Sequence, residues 1–162
     1  MTPRATSISL TGPAGIGATG TIEIDVTTLT SASTTGASAP IDLSDVSGGL
    51  TVTSATTNDG SISLGAVGGN LVLTTVSAAG TARNVTATTT TSGDIQVGSV
   101  TATSNISLTA VGAIEESGSD GAADLTASTA SLSAGTGIGN LATLEIDLTT
   151  LTSATVSGTG AI

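Results

Sequence analysis

The sequence predicts an all-β fold, a parallel β-helix or β-solenoid with turns of twenty-odd residues, and three observations carry that prediction. The chain of 162 residues has no Phe, Trp, Tyr, Cys or His and a single Met. Aromatic side chains supply the largest blocks of buried area, so a core without them is thin and filled by Leu, Ile, Val and Ala. Thr, Ser and Gly take most other positions, and these residues suit strand surfaces and tight turns while disfavouring helix over any long window. Finally, short apolar-alternating segments recur along the chain, the signature of a repeat architecture. Ser/Thr/Gly-rich tracts also occur in disordered chains, but the mean hydropathy of +0.43 and the regular alternation oppose disorder here.

Two periods are present. The segment 9–32 matches 131–154 without a gap, at an offset of 122 residues, with 15 identities in 24 positions that include Gly15-Ile16-Gly17, Glu23, Ile24, Asp25 and the run Thr27 to Ala32. Within this long repeat, Gly-containing turns precede strands led by Leu50, Leu71, Ile95 and Ile114, at spacings of 21, 24 and 19. A second strand series is led by Ile62, Val85 and Ile106, spaced 23 and 21 apart.

Each element follows from period-two alternation. Leu50/Val52, Ile62/Leu64, Leu71/Leu73, Ile95/Val97 and Ile106/Leu108 fall on one side of their strands, and Thr, Ser, Asn or Gln fall on the other. Short strands between glycine turns also fit an antiparallel sandwich, but strands that repeat in sequence stack most simply on their own copies in successive turns of one continuous coil covering residues 1–162. With strands about 4.8 Å apart, seven or eight turns make a rod of roughly 35 Å. Gly15 and Gly17, like Gly137 and Gly139, read as corners where glycine permits unusual dihedrals, since the strand-to-helix context of a nucleotide loop is missing.

Charge narrows the partners. Twelve acidic residues face only Arg4 and Arg83, a formal net charge of −10, which argues against binding nucleic acid or an anionic membrane surface. No run approaches the ~18 apolar residues of a membrane span, and the opening Met1-Thr-Pro-Arg-Ala-Thr6 lacks the apolar region of a signal peptide. Zero cysteines fit an extracellular repeat protein and a cytosolic one alike.

Four stretches resemble a known family: Gly135-Thr-Gly-Ile-Gly139, Asp124 to Ala134, Asn105 to Ile114, and Gly93-Asp-Ile-Gln-Val97. They are similar to the units of filamentous-haemagglutinin-like and other giant repeat adhesins of Gram-negative bacteria, and the likeness runs over nearly the whole chain. The resemblance implies a right-handed coil, export to the cell surface, and a part in adhesion, aggregation or matrix. It brings no catalytic residue with it.

The chemistry available is carboxylate chemistry. Glu23 with Asp25, and Glu145 with Asp147, sit two apart in a strand, roughly 7 Å across one face and within the range of glycosidase acid pairs; the lack of aromatic sugar platforms makes a solvated outer face the simpler reading. Calcium is the inorganic ligand that carboxylates and carbonyls suit. Its candidates are Asp42 with Asp45, Asp59 within Asn58-Asp-Gly60, and Glu115 and Glu116 with Asp120, although none shows the spacing of calcium-binding β-rolls and turn chemistry accounts for Asp59. Thr-x-Thr strands suggest an ice-binding face, but the outward series Thr51/Thr53, Val72/Thr74, Gln96/Gly98 breaks its regularity. Asn84-Val-Thr86 and Asn105-Ile-Ser107 are formal glycosylation sequons inside expected strands.

The expected function is a non-catalytic structural and adhesive stalk in a large secreted or cell-surface protein. It would touch a host surface, a neighbouring cell or a matrix glycan. A self-assembling fibre subunit joined head to tail through exposed coil ends is the alternative. A polysaccharide-processing enzyme and an ice-binding solenoid are more distant readings.

Overall fold

The computed structural model describes residues 4–162; the first three residues of the expected coil lie outside the described residues. The protein is an all-β solenoid of parallel strands, with coils of ~22 residues stacked in about 7 turns. The first turn carries β1 (Ala5–Gly12) and β2 (Ile22–Ile24); the second, β3 (Val26–Thr34) and β4 (Ile41–Asp45); the third, β5 (Leu50–Val52), β6 (Ala55–Thr57) and β7 (Ile62–Ala66). The fourth carries β8 (Leu71–Ala78) and β9 (Val85–Thr89), and the fifth β10 (Ile95–Ala102) and β11 (Asn105–Ala110). β12 (Ala113–Glu116) and β13 (Leu125–Ala134) make the sixth, β14 (Gly137–Ile138) and β15 (Ile146–Val156) the seventh.

Three ladders run up the coil. The first stacks Leu50, Leu71, Ile95, Ile114 and Ile138. The second stacks Leu10, Ala32, Ala55, Val76, Val100, Leu125 and Ile146. The third stacks Ile16, Ile41, Ile62, Val85, Ile106, Ala130 and Leu151. Both strand series read from the sequence therefore fall on single ladders. Inward side chains form one aliphatic cluster down the axis, and burial of that apolar area is the main stabilising term at roughly 25 cal/mol per Å². Where Thr34 and Thr57 replace an aliphatic residue inside, each hydroxyl donates to a turn carbonyl, of Ala39 and Gly60, at 2.6 Å, so no donor is left stranded.

Glycine makes the corners narrow. Gly93 has φ +112° and a Cβ there would lie 1.9 Å from the Gly69 carbonyl oxygen. Gly15 and Gly17, expected at corners, have φ of +115° and +72°.

The long repeat is visible in the backbone, but its copies do not lie over one another. β1 meets β3 with a register slip after Ile8/Leu29, and β13 meets β15 with the same slip after Ala130/Leu151, each leaving one extra residue, Thr30 or Thr152. Yet Ile16 belongs to the third ladder while its copy Ile138 belongs to the first. The offset of 122 residues spans five turns and about a third of another, so each copy is rotated by one face. Outward rows differ by face too. The first ladder shows Thr51, Val72, Gln96 and Glu115, irregular as the spacing indicates. The third shows an unbroken hydroxyl row, Ser63, Thr86, Ser107, Ser131 and Ser153, whose last two hydroxyls bond each other at 2.6 Å. That regularity belongs to the second strand series, where Ile62, Val85 and Ile106 are followed by outward Ser63, Thr86 and Ser107.

Candidate metal centre at the sixth turn

In the fifth turn, two residues, Gly98 and Ser99, carry the chain from Val97 to Val100. In the sixth, the stacked positions are Glu116 and Leu125, and eight residues, Ser117 to Asp124, fill the same step. The chain therefore leaves the coil in a loop. The loop folds back on its own polar groups: the Asp120 N–H donates to Glu116 Oε1 at 3.0 Å, and Asp120 Oδ1 accepts from the Ala122 N–H at 2.7 Å. The seventh turn makes a second excursion between Ile138 and Ile146. Glu115 Oε2 holds it by accepting from the Leu141 and Ala142 N–H groups at 3.0 and 3.1 Å.

Between the loops three carboxylates converge. Glu116 stacks on Val97 and so occupies an inward slot at 8% exposure; Asp124, at 2%, directly precedes buried Leu125. Glu145 sits one turn further, where its N–H donates to Asp124 Oδ2 at 2.9 Å and its carbonyl accepts from the Asp124 N–H at 2.9 Å. One carboxylate oxygen from each of Glu116, Asp124 and Glu145 lies within 4.8 Å of the others. Glu145 Oε2 is enclosed and, among the described residues, has no hydrogen-bond donor. Burial pushes the Asp124 carboxyl up to about 6 against the lowering effect of the Glu145 N–H, and the neighbouring Glu116 and Glu145 charges push it the same way.

The other acidic residues singled out in the sequence are dispersed. Asp42 and Asp45, three apart in β4, face opposite sides: Asp42 accepts from the Thr21 hydroxyl at 2.9 Å outside, and Asp45 is fully enclosed. Arg4 neutralises Asp45 at 2.6 Å and Asp25 at 2.8 Å, and the Val26 N–H donates to Asp45 Oδ1 at 3.1 Å. Asp59 pairs with Arg83 at 2.7 Å and accepts from the Ser38 N–H, and Arg83 holds its carboxyl below the usual range. Glu23 and Asp25 are both exposed, and so is Asp147. Of the calcium candidates, Glu116 alone joins the three-carboxylate group. Asp120 caps the loop and Glu115 anchors the next. Asp124 and Glu145 were missed as partners, although their separation of 21 residues, one turn of the coil, is the signal that stacks them.

No family model matches this chain, and no curated protein or solved structure matches it.

Proposed function

We propose that this chain is a non-catalytic stalk segment of a large secreted or cell-surface protein, a rod that spans distance and presents acidic, hydroxyl-rich faces for adhesion to a neighbouring surface or matrix glycan. The observation that carries this reading is the aliphatic core, which runs unbroken from Ile16 and Ile24 to Ile138, so that the coil is stiff along its axis and gives its whole outer surface to contact. Repetition favours the same reading, since a solenoid sums nearest-neighbour terms and extends by adding turns.

A second reading, a fibre subunit joined end to end, draws on the seventh turn, which a further turn, from the same protein or from a second copy, would cover. Leu132, Ile138, Leu144, Ile146, Leu151 and Ile162 line an apolar hollow there, and among the described residues β15 pairs with β13 alone. Electron microscopy across a range of protein concentrations separates the two. Short rods of one length are the stalk's expected outcome. Filaments of constant width that lengthen with concentration would replace it with the fibre subunit, and a random-coil circular-dichroism spectrum would sink both.

A further inference from the structure

We propose that Glu116, Asp124 and Glu145 bind one divalent cation per chain, calcium in preference to magnesium, and that the ion ties the sixth and seventh turns and the loop 117–124 together. The argument starts from charge. Glu116 and Asp124 are more than nine-tenths buried, and buried carboxylates are ordinarily paired with a cation or bound to a metal. The chain holds no Lys and two Arg, and those are engaged elsewhere, Arg4 with Asp25 and Asp45 and Arg83 with Asp59. Where an arginine is within reach, this protein uses it: Asp45, in a comparable inward slot, carries Arg4 on one oxygen and the Val26 N–H on the other. Among the described residues Glu116 has only the Asp120 N–H, and Asp124 only the Glu145 N–H.

Geometry agrees. Calcium coordinates oxygen at about 2.3–2.6 Å, so oxygens around one ion stand no more than about 5 Å apart, and the three donors fall within 4.8 Å. The enclosed Glu145 Oε2 has a free lone pair and no protein donor to fill it. The donor set is all oxygen, from a chain without His or Cys, which selects a hard cation over zinc. Carboxylates borne by a strand end, Glu116, and by two loops in different turns, Asp124 and Glu145, suit calcium's irregular shell better than the strict octahedron of magnesium. The Ser117–Asp124 excursion then has a reason: it brings Asp124 back over Glu116, where a two-residue bend like Gly98-Ser99 has no carboxylate to offer.

A proton shared between Asp124 and Glu145 is the competing way to neutralise the group, and it predicts no affinity for metal. Isothermal titration calorimetry of the full chelator-treated chain at neutral pH, with calcium chloride and separately magnesium chloride, decides between them beside thermal melts by circular dichroism. The expected result is one calcium per chain, a melting temperature that climbs with calcium concentration, and affinity at least about tenfold weaker in Glu145→Gln but unchanged in Asp147→Asn. If Glu145→Gln does not fold, europium luminescence decay in H2O and D2O on the unaltered chain answers instead, with an enclosed ion stripped of most of its water as the expected result. Absent heat and an unmoved melting temperature overturn the proposal. Binding that Glu145→Gln leaves intact overturns it as well, and so does a europium ion that keeps nearly all its water.

Discussion

Asp45 and Glu116 pose the same problem at the scale of the residue, a carboxylate in an inward slot of a ladder. Asp45 stacks between Ile24 and Ala66, Glu116 on Val97. The Arg4 guanidinium answers the first case, reaching past the edge of the first turn to donate to Asp45 and to the carbonyls of Val26 and Gly49. Removing one member of a buried pair costs more than removing both, because the remaining charge stays desolvated. Arg4→Met is therefore expected to destabilise the chain by about 3–5 kcal/mol. Arg4→Met with Asp45→Asn, which keeps an acceptor for the Val26 N–H, should recover most of that loss. Urea unfolding followed by circular dichroism measures both, and a double variant no better than the single one would refute the account.

At the scale of the element, the corners decide whether turns can stack. Gly93 combines a positive φ with a carbonyl of the preceding turn lying where a Cβ would go. Gly93→Ala is thus strained in conformation and in space, and a loss of about 1–3 kcal/mol is the expected cost. Since each turn touches only its neighbours, hydrogen exchange should quicken chiefly in β8, β10 and β12. Gly20, where an added Cβ meets open space, is the matched control, with Gly20→Ala expected within about 0.5 kcal/mol of the unaltered chain. Equal losses at the two glycines would mean that corner packing is not what limits stability.

At the scale of the whole molecule, the seventh turn differs from those beneath it. Ile146 and Leu151, inward by register, are 44% and 42% exposed in the seventh turn, an apolar surface that a further turn, of this protein or of a second copy, would cover. Leu151→Lys places a charge in that hollow and should lower any concentration-dependent association measured by analytical ultracentrifugation, with no change in the strand spectrum. Association that Leu151→Lys leaves unaltered would move the contact away from this end. The one-third-turn offset of the long repeat belongs to this scale as well, because a feature carried by each copy points to a new face of the rod every 122 residues.

Much of this was legible in the sequence. Leu50, Leu71, Ile95 and Ile114 share a ladder because a coil of constant perimeter must bring every turn's inward residue back to the same place, and glycines mark corners because they take positive φ without steric cost. The same period underlies the polar contacts between turns: Arg4 to Asp25 and Asp124 to Glu145 are each 21 residues apart, Asp59 to Arg83 24. Pairing Asp42 with Asp45 failed for an equally elementary reason, since three residues along a strand reverse the face. What the sequence by itself determined was the period, the inward and outward faces and the anionic surface, all of which are local properties of strand and turn. Only the tertiary structure decided that Glu116 turns inward, that Asp124 returns to it through an eight-residue loop and that Glu145 closes the group from the next turn, because the path of a loop depends on the turns above and below it.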